Sequence, residues 1–288
     1  MVQRVGKCDK RDKVGAGGKP APTLAVAMSG LDKGFLMSVV TQMLQRVLGR
    51  NQERSVALWP KFNKKKPKVI YETDSNFHTA YDRALAITQM REVTMRRLRY
   101  YTLCSFVRRI ADIPGEVCEV GCYRGLSAYL IASTLYQIKK QVCFHICDSF
   151  AGLSEFSVVD KSHYHNMDRL KKRQGFACPL EVVQQNLREF DFIAYHQGWI
   201  PAPFQALVNT RFCFVHIDVD LYQPTRDSFE FFYPRLMPNG VMVFDDYGTE
   251  KFPGARAAID EYLSQARDAF FVALPSGQAF LLKRATLP

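Results

Sequence analysis

Two patterns that would point to common protein classes are missing from the sequence. No apolar run in its 288 residues approaches 18, so no transmembrane helix is expected. Its eight cysteines form no C-x-x-C pair, which excludes the usual zinc and thioredoxin patterns. We therefore expect free, mostly buried thiols in a reducing cytosol, and with them a cytoplasmic location.

Excess positive charge is also missing from most of the chain. The formal net charge is +11, but residues 1–70 hold 15 Lys and Arg against 4 Asp and Glu, whereas residues 71–288 hold 24 of each. Because a nucleic-acid-binding body would be basic, no nucleic-acid partner is expected. The sequence predicts a basic, partly disordered extension over 1–70, with one amphipathic helix that begins at Leu31, and one domain over 71–288.

Pairs of carboxylates follow two apolar runs that are typical of buried strands. Run 212–217 leads to Asp218 and Asp220, and run 241–244 leads to Asp245 and Asp246. In an open parallel sheet, ligands bind at the carboxyl ends of the strands, where these four carboxylates would repel one another. Helix capping or solvated loops would explain one pair, but two successive pairs favour a bound Mg²⁺, Ca²⁺ or Mn²⁺.

The segment between these two runs has helical spacing. Phe229, Phe232, Tyr233 and Leu236 recur every three or four residues, and Pro238-Asn239-Gly240 is predicted to end the helix. If the strand before it continues past residue 217, alternation places the Asp218 and Asp220 side chains on one side.

A glycine turn follows the first predicted strand, which covers residues 116–120. The turn contains Glu119, Gly121 and Gly125, and a helix opens at Ser127. It differs from the dinucleotide fingerprint because Tyr123 replaces the second glycine, so a pyrophosphate cannot approach closely. An acid before the turn suits a ligand with a cationic amino group and no phosphate, and S-adenosylmethionine fits that description.

Asp148 ends the second predicted strand, residues 142–147, about twenty residues beyond the glycine turn. That position suits hydrogen bonds to ribose hydroxyls, although capping of the next turn is the competing interpretation. Residues 154–178 are interpreted as an insertion over the site, and their His163 and His165 as incidental. Seven strands with helices between the first five and a closing hairpin predict an α/β, class I methyltransferase, Rossmann-like fold with a mostly parallel sheet.

Five short segments together resemble the macrocin O-methyltransferase family. They are Glu119–Gly125, Asp148–Leu153, Gly198-Trp199, His216–Tyr222 and Asp245–Gly248. The similarity spans roughly residues 76–283. Members of this family are metal-dependent enzymes that use S-adenosylmethionine to methylate sugar hydroxyls of macrolide and aminocoumarin antibiotics.

The resemblance implies roles for individual residues. Asp218, Asp245 and Asp246 would hold Mg²⁺, and Asp220 would be the general base. The residues expected at the cofactor, by the resemblance and the glycine turn, are Thr94, Glu119, Gly121, Gly125, Ser127, Asp148, Ser149 and Gly198. The basic extension and the 154–178 loop depart from the family, so the expected acceptor is only a small-molecule sugar or polyol. A homo-oligomer is compatible with the sequence.

Other functions remain open from the residues alone. A catechol-type O-methyltransferase would use the same metal chemistry on an aromatic diol. A nucleotide-sugar glycosyltransferase also holds a metal with Asp-x-Asp, but it would not need the turn at Glu119. A nucleic-acid or membrane-binding protein could use the basic extension, although the neutral body with its acidic centre argues against that role.

Overall fold

The computed structural model describes residues 70–162 and 173–285, and these residues contain the seven predicted strands in one sheet. The strands are β1 (Glu116–Val120), β2 (Phe144–Asp148), β3 (Ile193–Gln197), β4 (Phe212–Ile217), β5 (Leu236–Phe244), β6 (Ala269–Ala273) and β7 (Ala279–Lys283). Their order across the sheet is β3-β2-β1-β4-β5-β7-β6. Neighbours among the first five strands run parallel, whereas β7 runs antiparallel to both β5 and β6. The predicted α/β class is therefore confirmed.

Helices fill the connections between the parallel strands. The described helices are α1 (Ile70–Thr73), α2 (Ser75–Thr88), α3 (Arg96–Arg109), α4 (Leu126–Gln137), α5 (Leu180–Asn186), α6 (Tyr222–Phe232) and α7 (Pro253–Leu263). Two 3₁₀ turns, Ala202–Leu207 and Tyr233–Arg235, precede β4 and β5. The chain order reverses between β1 and β4, which makes their carboxyl ends the expected ligand-binding crevice.

The core consists of two apolar layers, one on each face of the sheet. One layer packs residues of α2, α3 and α4 against the sheet, and the other packs residues of α6 and α7 against it. In the second layer the fully buried Phe229 lies with its ring centroid 5.0 Å from Phe244 and 4.5 Å from Tyr262. Burying one such ring contributes about 1.5–3 kcal/mol, so these aromatic contacts fix α6 over the end of β5.

The helix before β5 is shorter than its apolar spacing predicts. α6 ends at Phe232, the 3₁₀ turn follows, and Leu236 is already the first residue of β5. Pro238-Asn239-Gly240 therefore lies inside a strand and does not end a helix. The pairing of β4 with β5 shifts register between Phe212 and Phe214, and this irregularity accommodates the extra residues.

Several expectations fall outside the described residues. The helix from Leu31, the basic extension apart from its last residue, and the two histidines of the 163–165 stretch are among them. The division of the chain at residue 70 thus stays a prediction. Within 70–162 and 173–285, no helix has both the length and the apolar character that a membrane crossing requires. All seven cysteines described there are free, and six of them are buried.

The turn after β1 depends on a glycine. Gly121 has φ +84°, a conformation that side chains with a Cβ rarely adopt, and a Cβ at this position would overlap the Asp218 carbonyl oxygen. The turn is therefore packed directly against the backbone that follows β4.

We predict that Gly121→Ala destabilises the protein by roughly 2–4 kcal/mol, because positive φ and steric overlap act together. Gly175→Ala is the matched control, since a Cβ there would meet nothing within 4 Å. Urea unfolding measures both. Equal midpoints for the two variants would show that the turn tolerates a side chain.

Candidate active site

A cavity of about 300 Å³ opens at the carboxyl ends of the parallel strands. The turns after β1, β2, β4 and β5 contribute to its wall, together with residues of α3. Its polar lining residues include Arg96, Arg99, Ser127, Asp148, Ser149, Asp218, Asp220, Asp245, Asp246 and Lys251, and its aromatic ones include Tyr123, Phe176, Trp199 and Phe252. A volume of this size suits a small-molecule ligand.

Asp148 ties the end of β2 to the glycine turn. Its Oδ2 accepts hydrogen bonds from the backbone N–H groups of Cys122, at 2.7 Å, and Tyr123, at 3.3 Å. Its Oδ1 accepts from Phe150 N–H at 2.7 Å. The carboxylate thus caps the local backbone and also lines the cavity, and its contact with a ribose stays a prediction.

The eight residues expected at the cofactor divide into two groups. Gly121, Ser127, Asp148 and Ser149 line the cavity, whereas Thr94, Glu119, Gly125 and Gly198 are not among its lining residues.

The second group has other positions in the fold. Thr94 lies in an exposed turn just before α3. Gly125, with φ +86°, is the N-cap of α4. Gly198 donates its N–H to the Asp148 carbonyl oxygen at 2.9 Å.

Glu119 does not line the cavity, and its predicted contact with the cofactor stays a prediction. It is fully buried, and its Oε1 lies 2.8 Å from Nδ1 of His216, which is also fully buried. The two residues are register partners on β1 and β4 and therefore share one face of the sheet. Sequence position gave the end of the strand correctly but could not give the face onto which the carboxylate projects.

His216 connects Glu119 to the acidic centre. Its Nε2 lies 3.7 Å from Asp245 Oδ1. Burial lowers the pKa of His216, but its interactions with Asp245 and Glu119 outweigh that effect and raise the pKa to about 10. The imidazolium thus stands between two carboxylates inside the core.

Three of the four predicted carboxylates converge. Ligand oxygens of Asp218, Asp220 and Asp246 all lie within 4.8 Å of one another. Burial and neighbouring negative charge raise the pKa of Asp218 and of Asp220 well above the usual value, and raise that of Asp246 to about 6. Asp246 Oδ2 is buried and has no hydrogen-bond partner among the described residues.

Asp245 has a different environment. It forms an ion pair with Arg99 of α3, which also donates to the Asp245 carbonyl oxygen at 2.7 Å, and its Oδ1 accepts from Gln278 at 2.8 Å. Burial raises the pKa of Asp245, but Arg99, His216 and Gln278 outweigh burial and lower it to about 2. Asp245 also lies within 4.8 Å of Asp218 and His216 in a second group of ligand atoms.

The prediction that alternation places Asp218 and Asp220 on one side assumed that β4 continues past residue 217, and this assumption was wrong. β4 ends at Ile217, and Asp220 has φ +62°, in the left-handed region. The two carboxylates nevertheless meet, because the turn brings Asp220 back toward Asp218.

Arg99, His216 and Gln278 had no assigned role in the sequence prediction. His216 carried a usable signal, since it lies two residues before Asp218 on a strand that leads to the site. Arg99 lies 146 residues from Asp245 along the chain, so spacing could not link them.

The donor set fits a hard divalent cation. Three mutually repelling carboxylates, one with an unpartnered buried oxygen, form an oxygen-only site of the kind that Mg²⁺, Ca²⁺ or Mn²⁺ occupies. The neighbouring Asp148 lines the cavity at a position that suits hydrogen bonds from ribose hydroxyls.

Comparisons with known proteins point in the same direction. The model of the family described as Macrocin-O-methyltransferase (TylF) matches residues 22–268. A tetracenomycin rhamnosyl 4'-O-methyltransferase from Streptomyces olivaceus is 28% identical over 178 residues, which cover 59% of this chain and 66% of that protein. The mycinamicin III 3''-O-methyltransferase from Micromonospora griseorubida is 26% identical over 180 residues, covering 59% and 68%. The chain thus spans about two thirds of the length of these relatives.

The fold also matches a solved structure. The O-methyltransferase NovP superposes with a TM-score of 0.54 and 21% sequence identity, over 65% of this chain and 80% of that one. This likeness assigns the class I methyltransferase fold to the chain.

We predict that Asp246→Asn stabilises the protein without divalent cations at pH 8. Folding raises the pKa of Asp246 to about 6, so its ionised form opposes folding above that pH, by roughly 1–3 kcal/mol. The melting temperature in EDTA should rise by several degrees. The gain should shrink as pH falls from about 6 to about 4, because the aspartate becomes protonated in the folded state over this range and in the unfolded state only at still lower pH.

The exposed Asp191→Asn is the control and should leave the melting temperature unchanged. With Mg²⁺ added, the wild type should gain stability and Asp246→Asn should gain much less. A variant that melts below the wild type in EDTA would contradict the repulsion argument.

Proposed function

Because the chain belongs to the macrocin O-methyltransferase family, we propose that it moves a methyl group from S-adenosylmethionine to a hydroxyl of a sugar or glycosylated natural product. One observation carries the proposal. The same cavity is lined by the glycine turn, to which Asp148 is hydrogen-bonded, and by the three converging carboxylates of Asp218, Asp220 and Asp246. The names of the relatives, which modify sugar-bearing compounds, support the acceptor class.

Cofactor binding is assigned to Gly121, Ser127, Asp148 and Ser149. Asp148 has spare lone pairs after accepting its backbone hydrogen bonds, and these suit the ribose hydroxyls. Gly125 and Gly198 act through backbone conformation. Glu119 holds His216 in the core.

As the family resemblance implies, metal binding is assigned to Asp218, Asp245 and Asp246, and proton abstraction to Asp220. Of these, Asp218 and Asp246 converge with Asp220, whereas Asp245 lies near Asp218 and is paired with Arg99. Mg²⁺ would supply acidification of a chelated hydroxyl, which is otherwise a poor nucleophile at neutral pH. Asp220 lies within the same carboxylate cluster, so it can accept the acceptor's proton. Arg99 and Gln278 fix the orientation of Asp245.

An aromatic diol is the second candidate acceptor. Tyr123, Phe176, Trp199 and Phe252 give the cavity an aromatic wall against which such a ring could stack. A panel of glycosides and catechols assayed for S-adenosylhomocysteine release separates the two acceptor classes.

Cofactor binding is tested by isothermal titration with S-adenosylhomocysteine. We expect binding to the wild type and at least tenfold weaker binding to Asp148→Ala, because the ribose contact and the capping of the turn are both lost. The exposed Asp112→Ala is the matched control and should bind normally. Absence of binding at millimolar ligand would reject the cofactor assignment.

Two variants distinguish the residue that binds the metal from the residue that accepts the proton: Asp218→Asn and Asp220→Asn. Asp218→Asn should weaken Mg²⁺ binding, because a neutral amide loses charge against a hard cation. Asp220→Asn should retain cofactor affinity and reduce kcat by about 10²–10⁴-fold. Activity that survives EDTA dialysis would reject the metal, and near-normal turnover of Asp220→Asn would reject the base.

A further inference from the structure

A second group of metal-ligand side chains lies on the sheet away from the acidic cavity. Glu116 begins β1, Cys143 immediately precedes β2, His145 is the second residue of β2, and His196 lies on the edge strand β3. Cys118 is the register partner of His145, and His145 is that of Ala194. Because alternate residues share a face, the four side chains project to the same side of the sheet.

Two ligand atoms face the same nitrogen of His145. Cys143 Sγ lies 3.9 Å from His145 Nδ1, and His196 Nε2 lies 3.0 Å from it. Ligands of a tetrahedral zinc ion stand roughly 3.3–3.8 Å apart, as bond lengths of about 2.0–2.3 Å require. A metal ion could therefore replace the proton that the two imidazoles share after only small side-chain movements.

Glu116 lies beside the other ring nitrogen of His145, Nε2. Its Oε2 is 3.4 Å from His145 Nε2, and this oxygen is buried with no hydrogen-bond partner among the described residues. Ligand atoms of Glu116, Cys143 and His145 also lie within 4.8 Å of one another. A carboxylate behind a histidine is the usual device that orients a zinc-binding imidazole.

The cluster is accessible from solvent. Cys143, His145 and His196 are half-buried, which leaves a path for an ion. Metal ligation needs a thiolate at Cys143 and one free nitrogen on each imidazole, so the thiol must lose its proton when the ion binds.

We propose that Cys143, His145 and His196 bind one Zn²⁺-like cation, with Glu116 orienting His145. The thiolate and two imidazoles select a borderline-soft metal over the Mg²⁺ that suits the all-oxygen aspartate cluster. Binding releases the thiol proton to solvent and moves the shared proton to the far nitrogen of its own ring, which for His145 faces Glu116. The ion would tie β2 to the edge strand β3, and it takes no part in methyl transfer.

The test uses Co²⁺ as a spectroscopic probe on the full chain after chelator dialysis. The wild type should show a thiolate-to-cobalt charge-transfer band that saturates at one equivalent and is displaced by Zn²⁺. Cys143→Ser should lose the band, and His145→Gln should weaken Co²⁺ binding more than tenfold. Zn²⁺ should raise the melting temperature of the wild type but not of Cys143→Ser.

Two matched variants locate the site. Cys213→Ser removes a buried thiol on β4 outside the cluster, and Asp218→Asn alters the aspartate cluster, so both should retain the band. Far-UV circular dichroism checks that each variant is folded, and His145→Gln serves if Cys143→Ser is not. The proposal is overturned if the wild type shows no band, or if the band survives either Cys143→Ser or His145→Gln.

Discussion

Repulsion among four aspartates at one edge of the sheet shapes the rest of the site. Burial and mutual charge raise the pKa values of Asp218, Asp220 and Asp246, whereas that of Asp245 is lowered. The difference follows from where the positive partners lie, because Arg99 and His216 both act on Asp245. The protein thus neutralises one carboxylate itself and leaves three in close contact, an arrangement that costs stability.

The helical layer contributes chemistry to the site as well as packing. Arg99 reaches the acidic edge from α3, and its guanidinium binds both the carboxylate and the backbone carbonyl of Asp245. The N-terminal part of the described chain therefore affects the charge of a site whose acids come from strands more than a hundred residues later.

The fold could be predicted from the sequence because its strands are short apolar runs with polar ends. All seven strands follow from local patterns, and so does the placement of the acids at strand ends. The end of α6 was misplaced because Leu236 has helical spacing yet pairs with Phe212 of β4. Tertiary pairing, which outweighed the local pattern there, is not visible in one sequence.

For the site, the sequence could not predict which way a side chain projects or which distant residues it contacts. The position of Glu119 before the glycine turn suggested a cofactor contact, but the register of β1 with β4 places it against His216. Asp220 reaches the cluster through a left-handed backbone conformation that strand alternation does not anticipate. In both cases the direction of the side chain depends on strand register and turn conformation, which a single sequence does not show.

The charges around the acidic centre favour the cation binding proposed above. Asp218, Asp220, Asp245 and Asp246 repel one another, and the positive groups that act on them include Arg99, His216 and Lys251. Because Arg99 and His216 both contact Asp245, the other three aspartates keep raised pKa values. A hard cation bound by their oxygens would supply the positive charge that these three carboxylates lack.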